Sequence, residues 1–472
     1  MKRAFLFAAA LAAAAPALAQ AQELPPAPPV GDPKPFRLPP TETFTLPNGL
    51  TVTLIPYGVA PKTVVSLRVR AGGVNEGEDI WISDVTAEMM KQGAAGKSAG
   101  DIANAAAGMG GDLDVGAGNH TTAVTMNVLS EFAPQAIALV SDVAIRPDLP
   151  AGELARVKAN LGRRLAQSLA QPGVLADVAL AGRIYGLDSP YGRPLPAAEQ
   201  LAAYTIDQVK AFHAGQFGAK RARLYIAGRF DAAAVKAAVL QAFSGWAAGP
   251  DPVKIESPHT PGPYAILVDR PGAPQTTLRL AFDAPLAGSA GDIPNRTMNQ
   301  LLGGAFSSRI TTNIREDKGY TYGPGSDIAF APGDALWTFE ADVTTEVTGA
   351  ALKEVFGEIR RMQSEAPGAE ESKGIRTYMA GLFAIQNSTS GAVIGTVASR
   401  DLLGLPADWL ENYVPAVLAV TPAQMTAAAK ANLPLGQLTL IIVGDLEKVR
   451  PQLEALPEMV GVPMETATGK VP

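Results

Sequence analysis

TIDQVKAFHAGQFGAKRARLYIAG, residues 205–228, returns without a gap as TPAQMTAAAKANLPLGQLTLIIVG, residues 421–444. Thr205, Gln208, Ala211, Leu224, Ile226 and Gly228 recur as Thr421, Gln424, Ala427, Leu440, Ile442 and Gly444, an offset of 421 − 205 = 216. A second pair lies near the starts of the halves. Ala60-Pro61-Lys62-Thr63 recurs as Ala273-Pro274-Gln275-Thr276, an offset of 213. Two matches at nearly one spacing indicate duplication rather than chance likeness between alanine-rich helices. Each half then has a strand (50–55 and 265–269), a loop carrying the Ala-Pro signature, and a second strand (64–69 and 277–282). Leu154, Val157, Leu161 and Leu165 form a helical stripe in the first half, as do Leu352, Val355, Phe356 and Ile359 in the second. The expected fold is α+β: two duplicated domains, each a mixed or antiparallel sheet covered by helices on one face, facing one another as half of a clam-shell.

Around this duplication the chain divides into an N-terminal signal segment (1–19), a Pro-rich arm (20–40), a first α+β domain (41–248), a linker (249–263) and a second α+β domain (264–472). Lys2 and Arg3 before an apolar run, then Ala17-Leu18-Ala19, predict cleavage after Ala19 and export to the periplasm or medium. The apolar run is too short to span a bilayer, so the mature chain is expected to be soluble, with no membrane span. Removal takes two cations and leaves 37 − 45 = −8.

The chain has no cysteine, which excludes disulfides, thiolate zinc sites, iron–sulfur clusters and a cysteine nucleophile. A net charge of −6 without a long basic run argues against nucleic acid as a partner. Only His120, His213 and His259 are present. His120 reads as a strand residue, His213 as a helical one and His259 as an exposed linker residue, all in ordinary structural roles.

Several short motifs stand in a telling order: Leu46-Pro47-Asn48-Gly49-Leu50, Ala71-Gly72-Gly73, Tyr191-Gly192-Arg193-Pro194, Ser307-Ser308-Arg309-Ile310, Ile314-Arg315-Glu316, Gly319-Tyr320-Thr321-Tyr322-Gly323 and Ile442-Val443-Gly444-Asp445. In these the sequence resembles the insulinase/pitrilysin-type zinc peptidases, including the mitochondrial processing peptidase and two-subunit bacterial relatives. The resemblance implies an inverted H-x-x-E-H motif on the first helix, two histidines holding zinc and the glutamate activating water, with a distal glutamate completing the site. Here the matching residues are Asp84, Ala87 and Glu88, and Arg163 and Arg164 stand near the distal position. The expectation is no metal and no cofactor in this chain. Asp84 and Glu88 share a helix face that reads as solvated, with a hard cation as the other reading; Met89 and Met90 read as core.

The resemblance also implies that Arg315 and Tyr322 reach the substrate carbonyl and stabilise its oxyanion, beside a loop of Gly303, Gly304, Ser307 and Ser308 that binds substrate. From the residues alone, Arg315 reads first as a surface charge and Tyr322 equally as an aromatic anchor, with Tyr320 the alternative should the register slip. The implied role is the non-zinc subunit of a heterodimeric zinc metallopeptidase, inactive alone. Its partner would be a homologous subunit carrying H-x-x-E-H and the zinc, and its substrate an unfolded peptide. The alternative is a non-catalytic scaffold or peptide-binding protein of the same fold.

Overall fold

The computed structural model describes residues 31, 33–254, 257, 259–260 and 262–467. The expected signal segment and most of the Pro-rich arm lie outside these residues. From Pro35 onward the chain forms one compact unit.

Two six-stranded sheets organise it. The first contains β1 (Glu42–Thr45), β2 (Thr51–Pro56), β3 (Lys62–Val69), β4 (Leu113–Ala117), β5 (Thr122–Leu129) and β6 (Ala222–Gly228), in the order β1-β2-β6-β3-β5-β4. The second contains β7 (Tyr264–Asp269), β8 (Gln275–Asp283), β9 (Gly325–Ala331), β10 (Asp334–Thr344), β11 (Thr439–Gly444) and β12 (Met464–Ala467), in the order β9-β10-β8-β11-β7-β12. Five strands correspond between the halves. In each, the late strand (β6, β11) runs parallel to the first core strand and antiparallel to the second. The sixth differs: β1 is an antiparallel N-terminal addition, whereas β12 is a parallel C-terminal one.

The repeat that opens the sequence has a local physical cause. Thr205 and Thr421 both cap a helix (Ile206–Gln216 and Pro422–Asn432) through a reciprocal box. Gln208 N donates to Thr205 Oγ1 at 3.3 Å and Thr205 N to Gln208 Oε1 at 3.0 Å; the second half repeats this at 3.3 and 2.8 Å. Each box closes two otherwise orphaned backbone donors. The glycines ending β6 and β11 are fixed by the Ala-Pro-x-Thr segments. A Cβ on Gly228 would lie 2.2 Å from Lys62 O, and one on Gly444 would lie 2.8 Å from Thr276 Oγ1.

β6 and β11 bury every residue except Arg223, and alternate residues enter different cores. Leu224 and Ile226 join the helices of the first half, including Leu154, Val157, Leu161 and Leu165. Leu440 and Ile442 do the same with Leu352, Val355, Phe356 and Ile359. The opposite faces are covered reciprocally. Tyr225 and Ala227 pack against Val393, Ile394, Val397 and Ala398 of the second-half helix Ser390–Leu403. Ile441 and Val443 pack against Ala176, Leu180 and Ile184 of the first-half helix Pro172–Tyr185. Helices of a half thus cover one face of its own sheet, and the other half covers the second. Strands apolar at nearly every position leave no face for water. Phe36, from the end of the Pro-rich stretch, meets Phe383 edge-on at 5.2 Å. Among the described residues no helix is long and apolar enough to cross a membrane.

Candidate functional site

The helix Ile82–Met90 carries the motif positions. Its first turn is closed by Glu76, whose carboxylate accepts Trp81 N at 2.9 Å, Ser83 N at 2.9 Å and the Ser83 hydroxyl. Trp81, at φ 69°, turns the chain into the helix in the left-handed region. Burial pushes Glu76 up to about 7, against the pull of those donors, and Asp84 adds to the rise. Nothing in the motif pointed to Glu76; the Glu76–Ser83 spacing was the available signal.

Ala87, Val85, Met89 and Met90 are buried in the first core. Asp84 and Glu88 lie on the other side, and neither sits on a freely solvated face. Asp84 Oδ1 accepts from Arg164 Nη2 at 2.5 Å, with the Asp84 side chain only 24% exposed. The Arg164 guanidinium lies 4.9 Å from the centre of the Trp81 ring. Glu88 pairs with Lys91 at 2.8 Å. Burial holds Asp84 above the ordinary carboxylate range, Arg164 opposes this, and Glu88 reinforces it. Arg163 instead donates to Asn160, so Arg164 is the residue facing the motif. A guanidinium against Asp84, an ammonium on Glu88 and a methyl at Ala87 do not fit zinc, which needs N, S or O donors free of other cations. Among the described residues no group of three or more His, Cys, Asp or Glu side chains could hold a metal ion.

Arg315 and Tyr322 are brought together. Two π-helical turns, Gln300–Gly304 and Thr312–Asp317, flank a tight loop and the short helix Arg309–Thr311. Such turns recur at functional sites because they displace side chains from the helical register. After the second, Gly319 turns the chain at φ 65° and Tyr320 N donates to Ile314 O at 2.8 Å. Tyr320 therefore packs at the edge of the second core. Tyr322, two residues on, is 84% exposed. The Arg315 guanidinium carbon lies 4.8 Å from the Tyr322 ring centre and 4.5 Å from that of Phe306. Its Nε lies 3.0 Å from Glu316 Oε1. Phe306, 69% exposed, is the residue that sequence reasoning missed. Its signal was a bare aromatic between Ala305 and Ser307 in a Gly/Ser loop.

The loop residues divide by role. Gly304 and Ser307 are exposed. Gly303 is buried, and a Cβ there would stand 2.4 Å from Ser326 Oγ, so glycine serves close approach. Ser308 is fully buried and caps the short helix, accepting Thr311 N at 3.3 Å and donating to Thr311 Oγ1 at 2.9 Å. Among the described residues no hydrogen bond or ion pair joins Asp84, Ala87 or Glu88 to Arg315 or Tyr322.

The histidines depart from expectation in two cases. His120 lies in the turn between β4 and β5 rather than in a strand, 5.6 Å from the Tyr191 ring. His213 is on its helix as expected, its Nε2 3.0 Å from Ala144 O. His259 is not an exposed linker residue. Its Nδ1 lies 2.5 Å from Asp283 and its Nε2 2.6 Å from Asp334, and the pair, Asp334 foremost, raises its pKa despite burial. Composition signalled a linker, but the two carboxylates come from β8 and β10, far off in sequence.

Fold and site together give a duplicated α+β chain with an Asp84–Arg164 ion pair in its first half and Arg315 held against Tyr322 in its second. Residues 203–379 match the family model described as the peptidase M16 inactive domain. An uncharacterized zinc protease of Mycobacterium bovis is 28% identical over 358 residues, covering 74% of this chain and 79% of that one. The crystal structure of a peptidase M16 inactive domain from Pseudomonas fluorescens is 25% identical, covers 86% of this chain and 98% of that one, and superposes with a TM-score of 0.78. A protease from Helicobacter pylori, at 16% identity and covering 86% and 100%, shares the fold with a TM-score of 0.79. The chain is thus similar to proteins of the M16 metallopeptidase family over most of its length, and to their inactive domain over residues 203–379.

Proposed function

We propose that this chain is the exported, non-zinc subunit of a two-chain zinc metallopeptidase that cleaves unfolded peptides. The observation that carries the reading is the pairing of two features in one molecule. The metal positions are closed by the Asp84–Arg164 ion pair, while Arg315 is held against the exposed rings of Phe306 and Tyr322. The zinc and the general base would come from a homologous partner carrying H-x-x-E-H. This chain would contribute positioned donors, the Arg315 guanidinium and the Tyr322 hydroxyl, to the oxyanion that develops on the scissile carbonyl. Donors fixed before reaction stabilise developing charge more than the starting carbonyl, because no reorganisation is required as the charge forms. The exposed Phe306 ring would pack against the apolar part of an extended peptide, with Gly304 and Ser307 beside it. The names of the relatives, zinc proteases, agree with this chemistry.

The alternative is a scaffold of the same fold, favoured by the failure of Asp84, Ala87 and Glu88 to fit zinc. Peptidase assays on an unstructured peptide separate the two. We expect no turnover by this chain alone, turnover when a co-expressed H-x-x-E-H homologue is present, and loss of that turnover with a zinc chelator. A homologue equally active without this chain would support the scaffold instead.

A further inference from the structure

The face of the first sheet that meets the helix Ser390–Leu403 changes character along its length. At one end it carries Val64, Tyr225 and Ala227 in an apolar cluster. At the other, the same alternation places Arg68 and Arg70 on β3 and its extension, Arg221 just before β6 and Arg223 at its start. These strands are antiparallel neighbours. Arg68 stands directly opposite Arg223, and Arg70 N donates to Arg221 O at 2.8 Å. Like charges directly opposed across strands are destabilising. The four guanidinium-bearing residues line one cavity with Thr121, Tyr225 and, from the covering helix, Leu402.

The groups facing them do not balance this charge. Two carboxylates answer the set: Asp401 from the covering helix, and Asp251, which acts on Arg221 while pairing with Lys220. Asp401 Oδ2 accepts from Arg223 Nη1 at 2.8 Å and from the Tyr225 hydroxyl at 2.9 Å, while its Oδ1 accepts from Arg400 Nη2 at 2.7 Å. Arg221 donates to neutral acceptors, Asp251 O at 3.0 Å and the Gln216 side chain, with the Asp251 carboxylate also acting on it. Among the described residues the Arg70 guanidinium has one hydrogen-bond acceptor, Leu402 O at 3.5 Å, with Asp401 acting on it from further off. Arg68 Nε is buried without a hydrogen-bond partner among the described residues. Burial, and for Arg70 the neighbouring Arg223, lowers the pKa of both. Such a set is costly as an empty structure, since an uncompensated buried charge loses hydration without gaining a partner.

We propose that this cavity is a binding site for a multivalent oxyanion, inorganic phosphate or the phosphate group of a monoester. Guanidinium forks on two adjacent strands match tetrahedral oxyanions in geometry. Four cations set against two carboxylates, each shared with a further cation (Asp401 with Arg400, Asp251 with Lys220), favour a dianion over a monocarboxylate. The site is separate from the Arg315 loop and does not depend on the peptidase reading.

The test is calorimetric titration of the full chain with inorganic phosphate, with glycerol 3-phosphate and with acetate, each at fixed ionic strength set by chloride. Saturable binding of phosphate and weak or no binding of acetate are expected. Binding of glycerol 3-phosphate as well would identify ester phosphate as a ligand; exclusion of it would leave the free ion. Arg68→Gln with Arg70→Gln is expected to weaken phosphate by about tenfold or more. Asp401→Asn is expected to tighten it, an opposite sign that a purely structural cluster would not give. Without phosphate, Arg68→Gln should be at least as stable as the parent, because the opposed Arg223 is relieved. No saturable phosphate binding by the parent chain, or Asp401→Asn weakening it as the arginine variants do, would overturn the proposal.

Discussion

Replacing Arg164 by alanine removes the cation that stands against the substituted metal positions. Two contacts disappear: the ion pair to Asp84 and the stacking on Trp81. Arg164 is 49% exposed and Asp84 24% exposed, so the ion pair is a half-screened one. It is worth about 0.2–1 kcal/mol, and the ring contact adds about 0.5–1 kcal/mol. The expected loss near neutral pH is therefore about 0.7–2 kcal/mol, measured by urea unfolding. The pH dependence fixes the cause. Asp84 already titrates above its unfolded value of 3.8 because of burial, so it weakens the fold as pH rises through that window. Without Arg164 its folded pKa climbs further, and the variant loses more stability over the same rise. The penalty should accordingly shrink at low pH, where Asp84 is protonated in both states. A double-mutant cycle with Asp84→Ala isolates the pair. A coupling energy indistinguishable from zero, or a penalty equal at both ends of the pH range, would refute the ion-pair account of this position.

Other expectations are equally concrete. Glu76, raised from 4.5 to about 7 by burial, binds its proton more tightly folded than unfolded. Stability relative to Glu76→Gln should therefore fall as pH rises between those values and level off above, read as the difference in urea midpoints across the range; a flat difference would contradict the assigned burial. Gly303→Ala places a methyl against Ser326 Oγ. It should cost about 1–3 kcal/mol by thermal or urea unfolding, and an unchanged midpoint would show that the loop has room to spare.

The architecture was legible because duplication leaves a trace in local chemistry. Thr205/Gln208 and Thr421/Gln424 are capping boxes, and Gly228 and Gly444 are pressed by the Ala-Pro-x-Thr segments, so the same constraints select the same residues twice. The reciprocal covering of the sheets was not legible. Periodicity shows that a helix such as Pro172–Tyr185 has an apolar face, but not which sheet receives it. At the site, motif order identified Arg315 and Tyr322 as a pair, and the structure brings both onto one surface. Sequence spacing could not separate Arg163 from Arg164, since one residue is a rotation of about 100° on a helix. The clamp on His259 was missed because its partners Asp283 and Asp334 come from other segments, whereas Phe306 depends on how the loop turns it towards Arg315. The arginine face was visible as two short alternations, Arg68/Arg70 and Arg221/Arg223. Only strand pairing shows that they coincide.

The most direct measurement is single-site kinetics in the reconstituted two-chain enzyme, comparing the parent with Arg315→Ala and Tyr322→Phe. Arg315 touches exposed rings rather than a core, so the fold should lose no more than about 1 kcal/mol, and association of the chains should be unchanged. We expect kcat to fall by about 100- to 1,000-fold for a lost oxyanion donor, with KM little altered. Variants that associate normally and retain the parent kcat would contradict the assignment of Arg315 and Tyr322 to transition-state stabilisation, and with it the helper-subunit reading.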